Sequence, residues 1–173
     1  MALRAIRTEE DPVLRKICKP VTDFNSHIHT LLDDLRDTLI DSGGVGLAAP
    51  QVGVLRRVVV VMDISREDLP PEEQIIELIN PVIIAQEGEQ CGAEGCLSIP
   101  EKYGVVTRPE SVTVSAFDRN GNKFEVSGSG LTARALCHEI DHLDGKLYID
   151  IAERMLTDEE LQELYSQDED VSE

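Results

Sequence analysis

The chain contains no tryptophan, and aromatic residues make up only 3% of its 173 positions. Its core must therefore be filled mainly by Leu, Ile and Val, which is feasible because hydrophobic residues reach 41%. Long apolar runs are also missing: the longest strongly apolar one, Val58 to Met62, is far too short to cross a bilayer. These absences argue against a membrane-spanning helix and predict a soluble globular chain of one-domain size.

Basic residues are scarce. Lys and Arg number 16 against 34 Asp and Glu, which gives a formal net charge of -18. A polyanion repels nucleic acids and anionic membranes, so we expect no direct specific nucleic-acid binding and no membrane partner.

An apolar secretory signal is not visible at the N-terminus. The four cysteines could form two disulfides, but without such a signal a reducing cytoplasm is the expected location. We therefore interpret the cysteines as thiols or metal ligands.

Two histidines four positions apart distinguish the segment from His138 to His142. On an α-helix these positions lie on one face, so both imidazoles can bind one metal ion. Glu139 lies on the neighbouring face, within reach of a water at that ion, as in the H-E-x-x-H helices of metal-dependent hydrolases. The alternative is a charged helix with two solvated histidines. We expect this helix to be capped by Thr132 and to end near Asp144.

Apolar residues recur with a helical period from Ser26 onward, and Gly43 supplies a stop signal. This pattern predicts an N-terminal helix. His27 and His29 lie on it two positions apart, so they point in different directions and are interpreted as solvated side chains.

Strand patterns occupy residues 57–62, 77–85, 111–117 and 123–126. Asn120-Gly121 predicts that the last two form a hairpin. Pro81 places the second strand at a sheet edge or at a bulge, because proline cannot donate to a strand ladder.

Together these patterns predict an α+β fold: antiparallel or mixed β-sheets around a central metal-binding helix, with an N-terminal helix and a short C-terminal helix. Thr157 and Glu160 form a capping box that opens the C-terminal helix, which we expect to continue to Tyr165. A single catalytic domain is expected over residues 1–157, and an acidic C-terminal helix and tail over residues 158–173.

A metal on the two histidines needs a third protein ligand, and the cysteines are the thiol candidates. Cys137 points about 100° around the helix from its neighbour, so packing is its expected role. Cys18 lies close to apolar residues in the sequence, so we interpret it as a small buried hydrophobic side chain. Local chemistry favours Cys96 over Cys91, because a glycine directly before Cys96 lets the backbone approach closely, but it leaves Cys91 open.

The glycine-rich segment over residues 43–51 follows the N-terminal helix. It lacks the Lys-Ser/Thr of a phosphate loop and the preceding strand of a dinucleotide site. One interpretation is that the segment is only a flexible loop. The segment also offers backbone N–H groups and the Gln51 amide, which suit an oxyanion hole and a groove for an extended peptide.

Three segments together resemble peptide deformylase. They are residues 44–51 (Gly-Val-Gly-Leu-Ala-Ala-Pro-Gln), 94–98 (Glu-Gly-Cys-Leu-Ser) and 138–142 (His-Glu-Ile-Asp-His). Their order and approximate spacing match that family, and the likeness runs from about Ile6 to Ile151.

The resemblance implies that Cys96, His138 and His142 hold the metal. It implies Fe²⁺ as the native ion, with Zn²⁺, Ni²⁺ or Co²⁺ as possible substitutes. By the same resemblance Glu139 would take a proton from the attacking water. Gln51 and the Leu97 backbone N–H would stabilise charge on the substrate oxygen.

The implied substrate is the N-formylmethionyl end of a newly synthesised bacterial protein, in the cytoplasm. Leu131 and Ala135 share one helical face, with Val45 opposite by analogy, and would bind the Met side chain. Backbone groups of Val45, Gly46 and Gly95 would pair with the peptide.

Two positions depart from the family pattern. Cys137 stands where many relatives have Gln, and Tyr103 stands where some have Arg near the mouth of the groove. Neither belongs to the implied metal set.

Two rival functions remain at this stage. An H-E-x-x-H metallopeptidase would usually use a third His or Glu as ligand. A non-catalytic zinc-binding module would need a fourth protein ligand, for which Cys91 is the nearby candidate. The acidic tail predicts at most weak association with ribosomes, since ribosomal RNA is also a polyanion.

Overall fold

The structure is a computed structural model that describes the backbone of residues 2–171 and the side chains of residues 2–167. Its α-helices are α1 (Ser26–Ser42), α2 (Pro71–Gln74), α3 (Gly130–Leu143) and α4 (Asp158–Val171). Short 3-10 helices occupy Pro12–Arg15, Ala49–Val52, Ile64–Arg66 and Tyr148–Asp150. No described helix is both long and apolar enough to pass through a membrane.

The strands form two sheets. They are β1 (Gly46–Ala48), β2 (Val58–Met62), β3 (Ile75–Glu87), β4 (Gln90–Cys96), β5 (Ile99–Arg108), β6 (Ser111–Phe117), β7 (Lys123–Ser129) and β8 (Arg154–Met155). The first sheet has the order β1-β2-β3-β6-β7 and the second the order β4-β5-β8. Every pairing between these strands is antiparallel, which confirms the α+β prediction in its antiparallel form.

Strand β2 connects two parts of the core, because its alternate side chains point to opposite faces of the sheet. Val58 and Val60 pack in a cluster with the leucines of α1. Val59 and Val61 pack in a second cluster that contains Leu136 of α3. The metal-binding helix predicted from the sequence is thus buried against a continuous sheet.

The N-terminal helix and the hairpin agree with the sequence patterns. Helix α1 ends at Gly43, whose φ of 70° is the left-handed conformation that glycine adopts easily. Strands β6 and β7 pair in continuous register around the turn. The C-terminal capping box also forms: the Glu160 N–H donates to Thr157 Oγ1 over 3.2 Å, and the Thr157 N–H donates to Glu160 Oε1 over 3.3 Å.

Pro81 lies at a bulge and not at an edge. Strand β3 pairs with β2 on one side and with β6 on the other, and its register to β6 shifts between Ile79 and Val82. The shift removes the need for a ladder N–H at the proline. Asn80, with φ of 51°, bonds through its side chain to the backbone of Val21.

Three local expectations were wrong. Helix α3 begins at Gly130, directly after β7, so Thr132 lies inside it and accepts a hydrogen bond from the Ile64 N–H. His29 is half-buried, with Nε2 2.7 Å from the carbonyl oxygen of Arg119, whereas His27 is exposed as expected. Helix α4 continues to Val171, beyond the expected end at Tyr165.

Candidate metal centre

Three potential ligand atoms converge between β4 and α3. One nitrogen or sulfur atom each from Cys96, His138 and His142 lies within 4.8 Å of the other two. Cys96 Sγ is 3.4 Å from His142 Nε2, which is 3.2 Å from His138 Nε2. Cysteine and histidine donors this close together fit a single transition-metal ion.

The histidines are buried side chains, not solvated ones. His138 is 6% exposed and His142 is 1% exposed, and their ring centroids are 4.9 Å apart across one turn of α3. Tyr148 stacks on the His138 ring with a centroid distance of 6.1 Å. Packing therefore fixes both rings, and the alternative of two solvated histidines is wrong.

The other cysteines lie outside this group. Cys91 is exposed, while Cys18 and Cys137 are buried in the apolar cluster around α3. Burial raises the pKa of both buried thiols to about 11, so they remain protonated at neutral pH. Cys96 is thus the cysteine that the fold places beside the two histidines.

Glu139 is buried next to these donors. Its Oε1 is 4.0 Å from His138 Nε2, and its Oε2 has no hydrogen-bond partner among the described residues. Burial raises its pKa to about 7, against the opposing effect of a charge on His138. A bound cation would lower this pKa, since it favours the carboxylate. Glu139 also lines a cavity beside these residues, and a carboxyl group with a pKa near neutral suits proton transfer there.

A second carboxylate orients His138. Glu94 Oε2 accepts a hydrogen bond from His138 Nδ1 over 2.7 Å. Burial works against ionisation of Glu94, but hydrogen bonds from His138 and Arg108 hold its pKa at about 2. With Nδ1 donating to this carboxylate, the lone pair of Nε2 faces the other ligand atoms.

Two buried arginines hold Glu94. Arg108 donates to both carboxylate oxygens, over 3.1 Å from Nε and 2.7 Å from Nη2. Arg134 Nη1 donates to Oε1 over 3.0 Å and to the Val106 carbonyl over 3.0 Å. Contacts from Arg108 of β5 and Arg134 of α3 therefore hold the carboxylate that orients the His138 ring.

The negative groups around His138 favour positive charge at its ring. Although burial opposes it, hydrogen bonds to Cys96 and Glu94 raise the pKa of His138 to about 10. Burial and the charge on His138 lower the pKa of His142 well below its ordinary value. The carboxylates and the thiol around this ring thus favour a cation at the site, a role that a metal ion can fill.

The sequence motifs alone assign no role to Glu94, Arg108 or Arg134. Two signals were available. Glu94 and Cys96 are two positions apart on β4, and Arg134 and His138 are four apart on α3, so each pair shares a face. Neither spacing predicts that Glu94 contacts Arg134 and His138, because these contacts join residues of two separate elements, β4 and α3.

Replacing Glu94 by Gln is expected to weaken metal binding by about 10- to 100-fold. The amide can no longer serve as an anionic acceptor for His138 Nδ1, and it leaves Arg108 and Arg134 without their shared charge partner. Competition with a chelator would measure the change. Glu89→Gln, at an exposed site just before β4, is the matched control. Equal affinity in the Glu94 variant and the wild type would contradict this role.

A cavity of about 430 Å³ opens beside the three potential metal-ligand atoms and is lined by α3, β4, β5 and the segment before β1. Its lining includes Glu139 and six of the seven residues expected to contact substrate: Val45, Gly46, Gly95, Leu97, Leu131 and Ala135. The seventh, Gln51, is buried outside the lining. Leu131 is 48% exposed at the rim, and Ala135 is 4% exposed inside. The sequence motifs thus form one groove.

Gln51 lies behind Cys96. Its Oε1 accepts from the Ala48 N–H over 2.9 Å, which turns its Nε2 toward Ser98 Oγ at 3.0 Å and Cys96 Sγ at 3.6 Å. Contacts at both ends of the amide therefore direct its N–H group toward Cys96, one of the three potential metal ligands.

Two positions in the groove require glycine, because neighbouring side chains lie too close to leave room for a Cβ atom. A Cβ on Gly46 would lie 2.7 Å from Glu139 Cγ, and a Cβ on Gly95 would lie 2.6 Å from Tyr103 Cε1. Both distances are shorter than a real Cβ contact allows, so any side chain would displace Glu139 or Tyr103.

A family model described as Polypeptide deformylase matches residues 3–157 of this chain. A peptide deformylase from Caldanaerobacter subterraneus subsp. tengcongensis is 55% identical over 162 residues, which cover 94% of this chain and 97% of that protein. One from Lachnoclostridium phytofermentans is 57% identical over 150 residues, covering 87% and 89%.

Solved structures of peptide deformylases have a similar fold. The structure from Legionella pneumophila has a TM-score of 0.80 at 42% identity and covers 96% of this chain and 98% of its own. The structure from Thermotoga maritima has a TM-score of 0.80 at 35% identity, with coverages of 88% and 99%.

Proposed function

The chain belongs to the polypeptide deformylase family, and from that premise we propose which of its residues carry out the reaction. It is a metal-dependent hydrolase that removes the formyl group from the N-terminal methionine of newly synthesised proteins and releases formate. The observation that carries the proposal is the convergence of Cys96, His138 and His142 beside buried Glu139 in one groove.

The donor set does not favour the two rival functions. A metallopeptidase of the H-E-x-x-H type would use a third His or Glu, whereas the group contains a cysteine. A structural zinc would need a fourth protein ligand, and Cys91 is exposed and outside the group.

Cys96, His138 and His142 are the proposed metal ligands, and Fe²⁺ is the proposed native ion. A set of two histidines and one thiolate also suits Zn²⁺, Ni²⁺ or Co²⁺, so these are possible substitutes. When bound, the ion makes water more acidic and polarises the carbonyl that is attacked.

Glu139 is the proposed general base and acid. It accepts a proton from the water as the new C–O bond forms at the formyl carbon. It then gives that proton to the amine nitrogen as the C–N bond breaks, which leaves formate and a free N-terminus. The burial that raises its pKa keeps it close to the range in which it can perform both transfers.

Gln51 Nε2 and the Leu97 backbone N–H are the proposed donors to the substrate oxygen. Contacts with Ala48 and Ser98 fix the Gln51 amide before the substrate arrives, so little reorganisation accompanies the reaction. Loss of one such donor typically costs about 3 kcal/mol of transition-state stabilisation.

The groove lies between two edge strands, β1 of the larger sheet and β4 of the smaller one. Edge strands have unpaired backbone groups that can add an extended peptide. We propose that Val45 and Gly46 pair with the substrate on one side and Gly95 on the other. Leu131 and Ala135 then contact the Met side chain.

Formate release from formyl-Met-Ala-Ser tests the function, with acetyl-Met-Ala-Ser as the matched peptide. The enzyme is purified without oxygen and its metal content is measured. Formate should appear together with intact Met-Ala-Ser, while the acetyl peptide should be hydrolysed far more slowly. Formyl-Met and Ala-Ser produced without formate would instead indicate a peptidase, which cleaves the Met-Ala bond and leaves the formyl group in place.

The proposed location is the bacterial cytoplasm, where formylated nascent peptides are made. We propose residues 1–157 as the catalytic domain and residues 158–173 as an acidic appendage. This appendage contains acidic residues and no basic one.

Ribosome binding through that appendage is expected to be weak or absent, because its charge repels ribosomal RNA. Co-sedimentation at low and moderate salt, with the full chain and a chain truncated before Thr157, measures it. Tight binding by the full chain that disappears on truncation would show this expectation to be wrong.

A further inference from the structure

Tyr103 and Tyr165 form an aromatic pair that joins the groove to the C-terminal helix. Their ring centroids are 6.4 Å apart and their planes meet at 81°, an edge-to-face arrangement. Tyr103 belongs to β5 and lines the cavity beside the metal centre. Tyr165 belongs to α4, which lies outside the three sequence motifs of the active site.

Tyr103 lies across Gly95. The two residues face each other in the β4–β5 register, and the absence of a side chain on Gly95 leaves room for the tyrosine ring. Aromatic side chains commonly cover a cross-strand glycine in this way. The ring therefore lies against the backbone with which the substrate is proposed to pair, on a different wall from Leu131 and Ala135 of α3.

The start of α4 is held in place relative to β5. The Leu156 N–H donates to the Tyr103 carbonyl over 2.8 Å, and strand β8 pairs with β5 just before it. Arg154 bonds to both oxygens of Glu160, over 2.8 and 2.9 Å, and Glu160 also closes the capping box with Thr157. These contacts set the direction in which α4 leaves the sheet and place Tyr165 two turns later against Tyr103.

We propose that Tyr165 is a positioning residue that holds the Tyr103 ring as an aromatic wall for the side chains that follow the formyl-methionine. Helix α4 thereby takes part in substrate recognition, and large apolar or aromatic side chains at those positions are the favoured class. The inference rests on the proposed peptide groove, because it assigns a wall of that groove to the residues beyond Met.

Steady-state kinetics with two peptides test the proposal: formyl-Met-Phe-Phe and formyl-Met-Gly-Gly. For Tyr165→Ala we expect KM for the Phe-Phe peptide to rise about two- to tenfold, the range of one aromatic contact, with kcat unchanged. KM for the Gly-Gly peptide should stay the same, because that peptide has no side chain to contact the wall. Tyr165→Phe should restore the wild-type KM. Gln162→Ala, an exposed change on the same helix, is the control.

Tyr103→Ala shows whether Tyr165 acts through Tyr103. Adding Tyr165→Ala to that variant should cause no further rise in KM. An unchanged KM for the Phe-Phe peptide in Tyr165→Ala, an equal rise for both peptides, or a further rise in the double variant would each overturn the proposal.

The ring contact can also be tested without turnover. The chain has three tyrosines and no tryptophan, so near-ultraviolet circular dichroism reports mainly on tyrosine surroundings. The changes caused by the two single alanine variants should not add up in the double variant, since the contact is shared. Additive spectra would contradict the pair. Failure of the wild type to release formate from either peptide would count against the proposed function, while the spectra would still decide the contact.

Discussion

Replacing Cys96, His138 or His142 by Ala is expected to abolish metal binding and, with it, most formate release. Each residue contributes one of the three converging donors, and two remaining donors hold a divalent ion far less tightly. The loss of metal affinity should exceed the roughly 10- to 100-fold effect that is typical of removing a hydrogen-bond partner of a metal ligand. Metal content of the purified variants and formate release under the same conditions measure the two effects.

Cys91→Ala is the matched control for the cysteine ligand. Cys91 lies on the same strand as Cys96 but is exposed and outside the donor group. It should keep both metal and activity. Full metal occupancy in Cys96→Ala would remove the thiolate from the proposed ligand set. Loss of metal in Cys91→Ala would instead revive the structural-zinc alternative.

The features that depend on local sequence could be predicted. The apolar period that ends at Gly43 specifies α1, and the Asn120-Gly121 turn specifies the hairpin of β6 and β7. The i, i+4 spacing of His138 and His142 fixes their common face without reference to any other element. Such signals are contained within a few residues, so one sequence is enough to read them.

The features that depend on distant partners could not be predicted. The Glu94 network needs the register of β4 against β5 and the packing of α3 on both. The same holds for His29, which meets the Arg119 carbonyl from another part of the chain. The Tyr103–Tyr165 pair depends on the path of the chain through β8, which no local pattern specifies. In each case the physical reason is long-range contact between elements.

Replacing Glu139 by Gln is expected to preserve metal binding while lowering kcat by about 10²- to 10⁴-fold. The amide has nearly the same shape as the carboxylate, so it fits the buried site beside Gly46 without creating a cavity. It cannot accept the proton of the attacking water or return that proton to the departing amine. Metal content, kcat and KM of the variant distinguish a lost proton transfer from a lost metal or a lost substrate contact.

The pH profile of the reaction provides a second test of Glu139 as the general base. A general base acts in its deprotonated form, so kcat/KM of the wild type should fall as the pH drops below the pKa of Glu139. Burial raises that pKa to about 7, and a bound cation lowers it, so the fall then occurs at lower pH. The residual activity of Glu139→Gln should lack this fall, because the amide does not titrate. Near-normal kcat in the variant, with metal bound and the acid limb intact, would exclude Glu139 as the base.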